Sequence, residues 1–451
     1  MCTPAVDPIG TARCTDITQR RFTALFAAGL LIRLIALPLH GTEDVLVWKT
    51  WSYGALHQGV SRLYGVGGHP PERGLVRWGE RVTTVDYPPL ALYALTATGF
   101  VYQAVSPGFE NTRWLNIAIK TPGLLAEIAL TWLLWTFVSR RYGEDQGRWA
   151  ATAFWANPAT ILSGPVLGYL DPLAAVPAVG SLIAASLGAP IVAGALLALA
   201  CLTKLQAVLM IPIVLLAMWN AGSAERLSRF SSGVVAACAV TFIMLLPYFL
   251  IGAGRNVVQG VSSLLRHDML SAYAANVWWI VTYVMRAIYA VGDMGIWDAW
   301  TMRLRILGVS TLVGLGYPNP RPLATSAVLI ATGWTLWRVR HSRDVSLVAA
   351  SAAFIVHAYF VLGIAVHENH LYFALPLLAL AAAARPQLRP IHMAVSAVVT
   401  LNLFLFFGLG QGIPLPPRNF TIIDSTAVLA VANCALFVWH LRVFRRESIA
   451  D

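Results

Sequence analysis

The sequence predicts an all-α protein that crosses a membrane many times. Three observations lead there. Hydrophobic residues make up 57% of the 451 positions and charged residues only 12%, against about 25% charged in ordinary soluble domains. So few charges cannot coat a soluble protein of this length, which excludes a cytosolic enzyme, a disordered chain and a fibrous protein. Apolar runs of about 15–25 residues recur along the whole chain, close to the ~20 that a helix needs to cross a bilayer. Short arginine clusters separate these runs, as Lys and Arg do in the cytoplasmic loops of membrane proteins.

Taken in order, the apolar runs predict spans near 22–38, 114–138, 149–165, 172–188, 190–203, 207–219, 231–251, 320–337, 345–365, 371–384, 390–408 and 425–441. The first lacks a small-residue cleavage signature and reads as a retained helix. Several runs are shorter than a straight span requires, which suggests helices that stop where protein or water satisfies the backbone. With the amino terminus inside, Arg20–Arg21, Arg140–Arg141 with Arg148, Arg226 with Arg229, Arg338–Arg343, Arg385–Arg389 and Arg442–Arg446 all fall on the cytoplasmic side. This holds only if 87–106 does not cross and 273–317 crosses zero or two times. The expectation is therefore 12 or 14 spans, with 43–58 and 87–106 as outer juxtamembrane helices in the long first loop. No internal repeat or linker appears, so residues 1–451 read as one membrane-embedded domain.

The net charge of +11, from 32 Lys+Arg against 21 Asp+Glu, has a topological reading, and no nucleic-acid partner is expected. Five cysteines make no disulfide framework. Cys201, Cys238 and Cys434 lie inside apolar runs and read as small hydrophobes.

The unusual polar residues gather in five segments that this topology places outside: 39–113, Gly168–Asp171, Leu202–Gln206, 252–272 and His367–His370. Glu43–Asp44 opens an amphipathic helix carrying Val47, Trp48 and Trp51. Its carboxylates are either catalytic or simple caps for helix N–H groups. Asp86 stands in VDYPPLALY, where Pro88–Pro89 starts a helix; a capping role competes there too. Asp171 precedes a proline between two apolar runs, with function and capping both open. Lys204 in LTKLQ either snorkels to the interface or holds an anion. In VHENHLY (366–372), His367 and His370 are three apart, as they would be on a shared helical face, with Glu368 beside them. The motif HExxH is absent, so hydrogen bonding or phosphate binding suits them better than zinc, with a plain capped turn equally open. In 254–279, Arg255, Arg266, His267 and Asp268 are polar outer-face residues, while Trp278 and Trp279 suit an interfacial belt. Arg33, within the first span, either snorkels or points into a cavity. No Gly-rich phosphate loop or nucleophile elbow is present, which leaves ATP-driven transport and serine hydrolysis without support.

Together these residues resemble the GT-C superfamily of integral-membrane glycosyltransferases that use polyprenyl-phosphate sugars, most closely the dolichyl-phosphate-glucose glucosyltransferases and their bacterial relatives. The resemblance covers roughly 33–376. It rests on Asp44 followed by Trp48 and Trp51, on Asp86-Tyr87-Pro88-Pro89-Leu90, on Ser106-Pro107-Gly108-Phe109-Glu110, on Ala275-Asn276-Val277-Trp278 and on Val366-His367-Glu368. Gly168–Asp171 and Leu202–Gln206 look like the GQxD and KPQ motifs of bacterial members, with Tyr169 in place of Gln and Leu205 in place of Pro.

The resemblance implies an inverting transfer of one monosaccharide from a polyprenyl-phosphate donor to a lipid-linked or cell-envelope (glycolipid) acceptor. The reaction would occur on the outer face of a bacterial inner or plasma membrane. A first-loop carboxylate acts as general base in this family. Asp44 matches that position and Glu43 is its nearest competitor. Phosphate contact carries over to His367, with Arg266, Lys204, Glu368 and His370 as further donor-site candidates. Asp86, Tyr87, Asp171, Trp48 and Gln206 would line the acceptor side. Residues 1–251 would form the catalytic module around loop 39–113, and 252–451 the more variable helices with donor-site turns. No organic cofactor is implied. Oligosaccharyltransferase relatives use a divalent cation and the monosaccharide-transferring branch generally does not; no carboxylate cluster that would hold one is evident. The competing reading is a transporter or flippase of a lipid-linked anion, in which Lys204, Arg266 and the histidines line a path. Such proteins often carry inverted repeats, and none is seen here.

Overall fold

The computed structural model describes residues 8–65, 74–221, 225–263, 266–293, 307–415 and 424–448, with side chains described from Arg20 onward and not at 289–293. The described chain is helical almost throughout. Each predicted span meets a helix. The 22–38 run lies in α1 (Pro8–Ala36), and the long first loop forms α2 (Glu43–Gln58) and α3 (Pro89–Val105). Next come α4 (Arg113–Tyr142), α5 (Glu144–Trp155), α6 (Pro158–Ile161), α7 (Asp171–Ser186), α8 (Pro190–Thr203), α9 (Ile211–Ala221), α10 (Arg226–Leu250) and α11 (Gly254–Ser263). The carboxy-terminal half contains α12 (Val277–Asp293), α13 (Val309–Gly314), α14 (Pro320–Arg338), α15 (Val345–Leu362), α16 (Ala374–Ala384), α17 (Arg389–Phe407) and α18 (Ser425–Glu447).

The helix starts follow from local chemistry. Proline occupies the first turn of α3, α6, α7, α8, α14 and α17, where its missing N–H costs nothing. Asn157, Asn319, Asp344 and Asp424 each accept backbone N–H groups as caps. The predicted span 149–165 is not one helix. It breaks into α5, α6 and a π turn at Leu162–Val166, because Asn157–Pro158 ends one helix and caps the next, and Pro165 supplies no N–H. Span 207–219 likewise begins as a 3₁₀ turn, Leu205–Met210, before α9.

Five described helices are long and apolar enough to cross a membrane: Arg113–Tyr142, Arg226–Leu250, Val345–Leu362, Pro386–Phe407 and Ser425–Glu447. Helices α15 and α16 are buried on nearly every side and form the centre of the bundle. Around them α1, α10, α14 and α18 expose Leu31, Ile35, Phe242, Leu250, Ile330 and Val431, as lipid-facing helices do. The question of whether 273–317 crosses lies partly outside the described residues, at 294–306.

The bundle has two distinct ends. At one end Arg385 pairs with Asp344 at 2.7 Å and with Glu447 at 3.1 Å, and Arg338 donates to Ser448 at 3.0 Å. The Tyr142 hydroxyl reaches Asp344 at 3.4 Å. The ends of α4, α14, α15, α16 and α18 therefore meet in one basic network. The far end lies one length of α15 away, about 27 Å for its 18 residues. It carries the polar turns and two small sheets. Strands β1 (Val76–Trp78) and β2 (Arg81–Thr83) pair antiparallel, Val76 opposite Thr83. Strands β3 (Ser271–Ala272) and β4 (Val366–His367) pair parallel, Ala272 opposite His367. The loop after α17 also returns here, where the Gln411 N–H donates to the Gly41 carbonyl at 2.8 Å.

Arg33 neither snorkels nor faces a cavity. It is fully buried, its Nε 2.6 Å from Glu127 and its Nη2 3.1 Å from the Thr160 hydroxyl, and its guanidinium stacks 3.7 Å over Trp155. Trp278 and Trp279 are internal packing residues rather than belt residues. Trp278 donates to Leu362 O at 2.8 Å and Trp279 to the Thr426 hydroxyl at 2.9 Å.

Removing one member of a buried ion pair strands the other, and such losses run to about 3–5 kcal/mol. Arg33→Met alone is expected to lower the thermal unfolding temperature in detergent markedly. The double variant Arg33→Met/Glu127→Gln is expected to recover part of that loss. Additive losses from the two single changes would refute the pairing.

Candidate active site

The polar end is built from turns that the helices deliver to one place. Helix α2 begins there because its entry is pinned to the turn before α7. The Thr42 N–H and hydroxyl donate to Leu167 O at 3.0 and 3.3 Å, and Trp48 Nε1 donates to Gly168 O at 3.1 Å. Only glycine permits this approach at 168. Its φ is +82°, and a Cβ there would stand 2.4 Å from a Val45 methyl. Lys120 of α4 reinforces the junction, donating to the Leu39, Pro165 and Val166 carbonyls at 2.7, 3.1 and 2.8 Å.

Asp44 occupies the first turn of α2 and is half-buried. Its carboxylate makes no hydrogen bond to any described residue. Burial pushes its pKa up to about 6, opposed by the Lys204 ammonium and assisted by Asp86, Asp171 and Glu43. Glu43 points elsewhere. It is exposed, bonded to Arg81 at 2.8 Å and to the Gln411 amide. The two adjacent acids are thus separated by geometry: one faces the cluster, the other a surface strap.

None of the three sequence-singled acids caps its helix with its side chain. The N-cap positions of α2, α3 and α7 are Thr42, Pro88 and Leu170, without side-chain caps. Asp171, fully buried, spends both oxygens on distant partners: Lys204 Nζ at 2.7 Å and Asn369 Nδ2 at 3.0 Å. Lys204 does not snorkel; it is buried with Asp171 and lies 6.0 Å over the Tyr87 ring. Tyr87 in turn packs edge-on against Trp48 at 4.9 Å, and its carbonyl receives the Tyr64 hydroxyl at 2.5 Å. Asp86 is half-buried, and burial raises its pKa against the pull of nearby His267.

The 366–372 segment is a short strand and turn, not a helix, yet His367 and His370 still meet, with ring centroids 5.2 Å apart. Burial drives the His367 pKa down to about 4, with His267 and Lys204 adding to the effect. Glu368 accepts from the Tyr169 hydroxyl at 2.5 Å. Burial pushes the Glu368 pKa up to about 7, the Tyr169 hydrogen bond opposing and the Asp44 charge assisting. Tyr169 in the 168–171 turn therefore has a definite partner. Strain surrounds this strand: Tyr273 and Ala365 adopt φ of 63° and 55°, a region that costs an L-residue about 1–2 kcal/mol.

The turns thus bring together Asp44, Asp86, Tyr87, Trp48, Asp171, Lys204, His367, Glu368 and His370. Gln206 is buried in the turn after Lys204, and its Oε1 has no hydrogen-bond partner among the described residues. Arg266 is not brought in: it is exposed and bonds the Ser262 hydroxyl at 3.3 Å. Sequence reasoning missed Asn369 and Asn402, and noted His267 only as a polar outer-face residue. Asn402 of α17 is fully buried and donates to Glu368 O and Tyr273 O, both at 3.2 Å, while accepting from the Ala275 N–H at 2.8 Å. A lone asparagine inside an apolar helix was the available signal. Among the described residues, no group of three or more His, Cys, Asp or Glu side chains is placed to hold a metal ion.

No protein-family model matches the chain, and no curated relative matches it. Among solved structures it is similar to the apo form of the Archaeoglobus fulgidus oligosaccharyltransferase, with 12% identity and a TM-score of 0.42. The match covers 95% of this chain and 56% of that one, so the chain spans little more than half the length of that protein.

Proposed function

We propose that this protein is an inverting glycosyltransferase that moves a monosaccharide from a polyprenyl-phosphate donor to a lipid-linked or cell-envelope acceptor. The observation that carries this reading is Asp44: a half-buried carboxylate without a hydrogen-bond partner among the described residues, set within the electrostatic reach of Lys204. A structural carboxylate finds partners, as Asp171 does. One held ready without them suits proton abstraction.

In the proposed reaction Asp44 takes the proton of an acceptor hydroxyl. The freed oxygen attacks C1 of the sugar from the face opposite the phosphate, and a new C1–O bond forms. The C1–O(phosphate) bond breaks, and its electron pair leaves with the lipid phosphate. The proton ends on Asp44. A pKa near 6 is suited to this step, since the group is ionised at neutral pH yet basic enough to share a proton in the transition state. Negative charge gathers on the departing phosphate, and Lys204 with the His367–His370 turn is the cationic or hydrogen-bonding side of the cluster. Asp86, Tyr87 and Trp48 offer a carboxylate and aromatic faces on the acceptor side, the pairing that suits a polyol.

The amino-terminal 251 residues supply the base, the acceptor side and Lys204, and the later turns supply the histidines of the phosphate side. The basic network at the opposite end of the bundle supports a cytoplasmic position for that end, and so an extracytoplasmic site.

Two results are expected. Asp44→Asn is expected to lower kcat by about 10²–10⁴, the usual worth of a general base, with little change in donor KM, while Glu43→Gln keeps most activity. Full turnover by Asp44→Asn with a matched lipid-phosphate sugar would remove the central residue. The second concerns pH. Asp44 must be ionised to act, so kcat/KM is expected to fall as pH drops through about 6; an ordinary aspartate would place that limb near pH 4. The same raised pKa means that ionisation opposes folding, so Asp44→Asn is expected to melt at a higher temperature at neutral pH. A profile flat down to pH 5 would contradict the assignment.

A further inference from the structure

The β3–β4 pairing does more than close a small sheet. It carries the preceding residues, Arg266–Asp268, to the side of the His367 turn. The His267 ring lies 5.8 Å from the His367 ring at 64°, and His367 lies 5.2 Å from His370, so three imidazoles stand in a row. The backbone around His267 is held on both sides. Arg321 donates to its carbonyl, and the neighbouring Asp268 carboxylate accepts from the Ser310 N–H at 2.8 Å and from the Ser310 hydroxyl. The imidazole itself is not used in this way: Nδ1 is shut off from solvent and has no hydrogen-bond partner among the described residues. An unmet buried polar atom costs about 1–3 kcal/mol. Fixing the main chain so firmly around one is understandable if a ligand meets it.

The groups facing this row decide what kind of ligand that is. Lys204 is committed to Asp171, Glu368 to Tyr169, and the Nδ1 of His370 is within 3.2 Å of the Tyr359 hydroxyl. Asp86 lies near enough for His267 to stabilise its charge. What remains is the pair of His267, whose Nδ1 has no hydrogen-bond partner among the described residues, and His367, whose Nδ1 stands 3.9 Å from Glu368 Oε2. Two imidazoles side by side, each able to present an N–H, suit a tetrahedral oxyanion.

We propose that His267 is a second imidazole contact, beside His367, for the phosphate of a polyprenyl phosphate ester. The choice of a lipid-borne phosphate rests on the transferase reading above; the choice of an anion rests on the row of imidazoles.

The test is equilibrium binding of a radiolabelled polyprenyl monophosphate, and separately of the matching phosphate-free polyprenol, to the purified full-length protein in nanodiscs. His267→Phe keeps a ring against His367 but removes both nitrogens. His267→Asn keeps an amide near the Nδ1 position. His267→Phe is expected to weaken phosphate-lipid binding by about ten- to a hundredfold, the worth of a hydrogen bond to a charged group, and to leave polyprenol binding unchanged. His267→Asn is expected to restore most of the loss. Unchanged phosphate-lipid binding by His267→Phe, or an equal loss for both lipids, would overturn the role. Equal competition by inorganic phosphate and by the lipid ester would overturn the lipid-borne choice. Wild-type protein that binds the phosphate lipid but transfers no sugar would overturn the transferase reading and leave His267 standing. Failure of the wild type to bind either lipid would overturn both.

Discussion

A carboxylate without water around it must find its partners inside the protein. Asp171 finds two, Lys204 from the end of α8 and Asn369 from the turn between α15 and α16. Each of those partners arrives from a separate part of the chain, and neither has another obvious reason to be at that depth. The geometry of the polar end depends on this bridge. It fixes the turn at 168–171, and through the Gly168 carbonyl that turn receives Trp48 and so sets the position of α2. It also fixes the turn at 366–370, whose Glu368 then meets Tyr169. The turns that carry Asp44 and the histidines are thus both tied to a single buried ion pair.

The same bridge gives the cluster a division of labour. Asp171 and Lys204 neutralise one another and serve mainly as structure, while Asp44, beside them, feels the Lys204 charge without touching it. Burial makes its ionised form costly and Lys204 lessens that cost, leaving a carboxyl that titrates near neutrality. Glu368 is tuned similarly, with Tyr169 in the place that Lys204 holds for Asp44. Two acids close to one another, each with a different compensating partner, keep distinct proton affinities in a shared environment.

The helices were legible because apolar runs bounded by arginine survive any uncertainty about packing, and the stretches 43–58 and 87–106 appear as α2 and α3. What misled was local backbone chemistry. The pattern 149–165 is uniformly apolar, and hydropathy takes no account of how Asn157, Pro158 and Pro165 divide it. The acids were legible as unusual residues, but their roles were not, since a cap and a catalytic group share the same position before a helix. Only the N-cap geometry separates them. Glu43 and Asp44 are adjacent and chemically alike, and nothing short of the direction of each side chain distinguishes the one facing Arg81 from the one facing Lys204. Asn402 went unseen for another reason. Its importance lies wholly in long-range partners, and a solitary polar residue carries no spacing from which to infer them.

The strap at Gly41 bears on how such a protein is made. Its Gln411 holds the residues just before α2 through the Gly41 carbonyl, and holds Glu43 by its side-chain amide. Those two ends of the contact leave the ribosome about 370 residues apart, roughly twenty seconds or more at ordinary rates of synthesis. Every helix from α2 to α17 is therefore produced before the residue that closes over the start of α2. The polar end cannot take its final form while the nascent chain is still being inserted, so the contacts around the start of α2 are completed only after nearly the whole chain has been made.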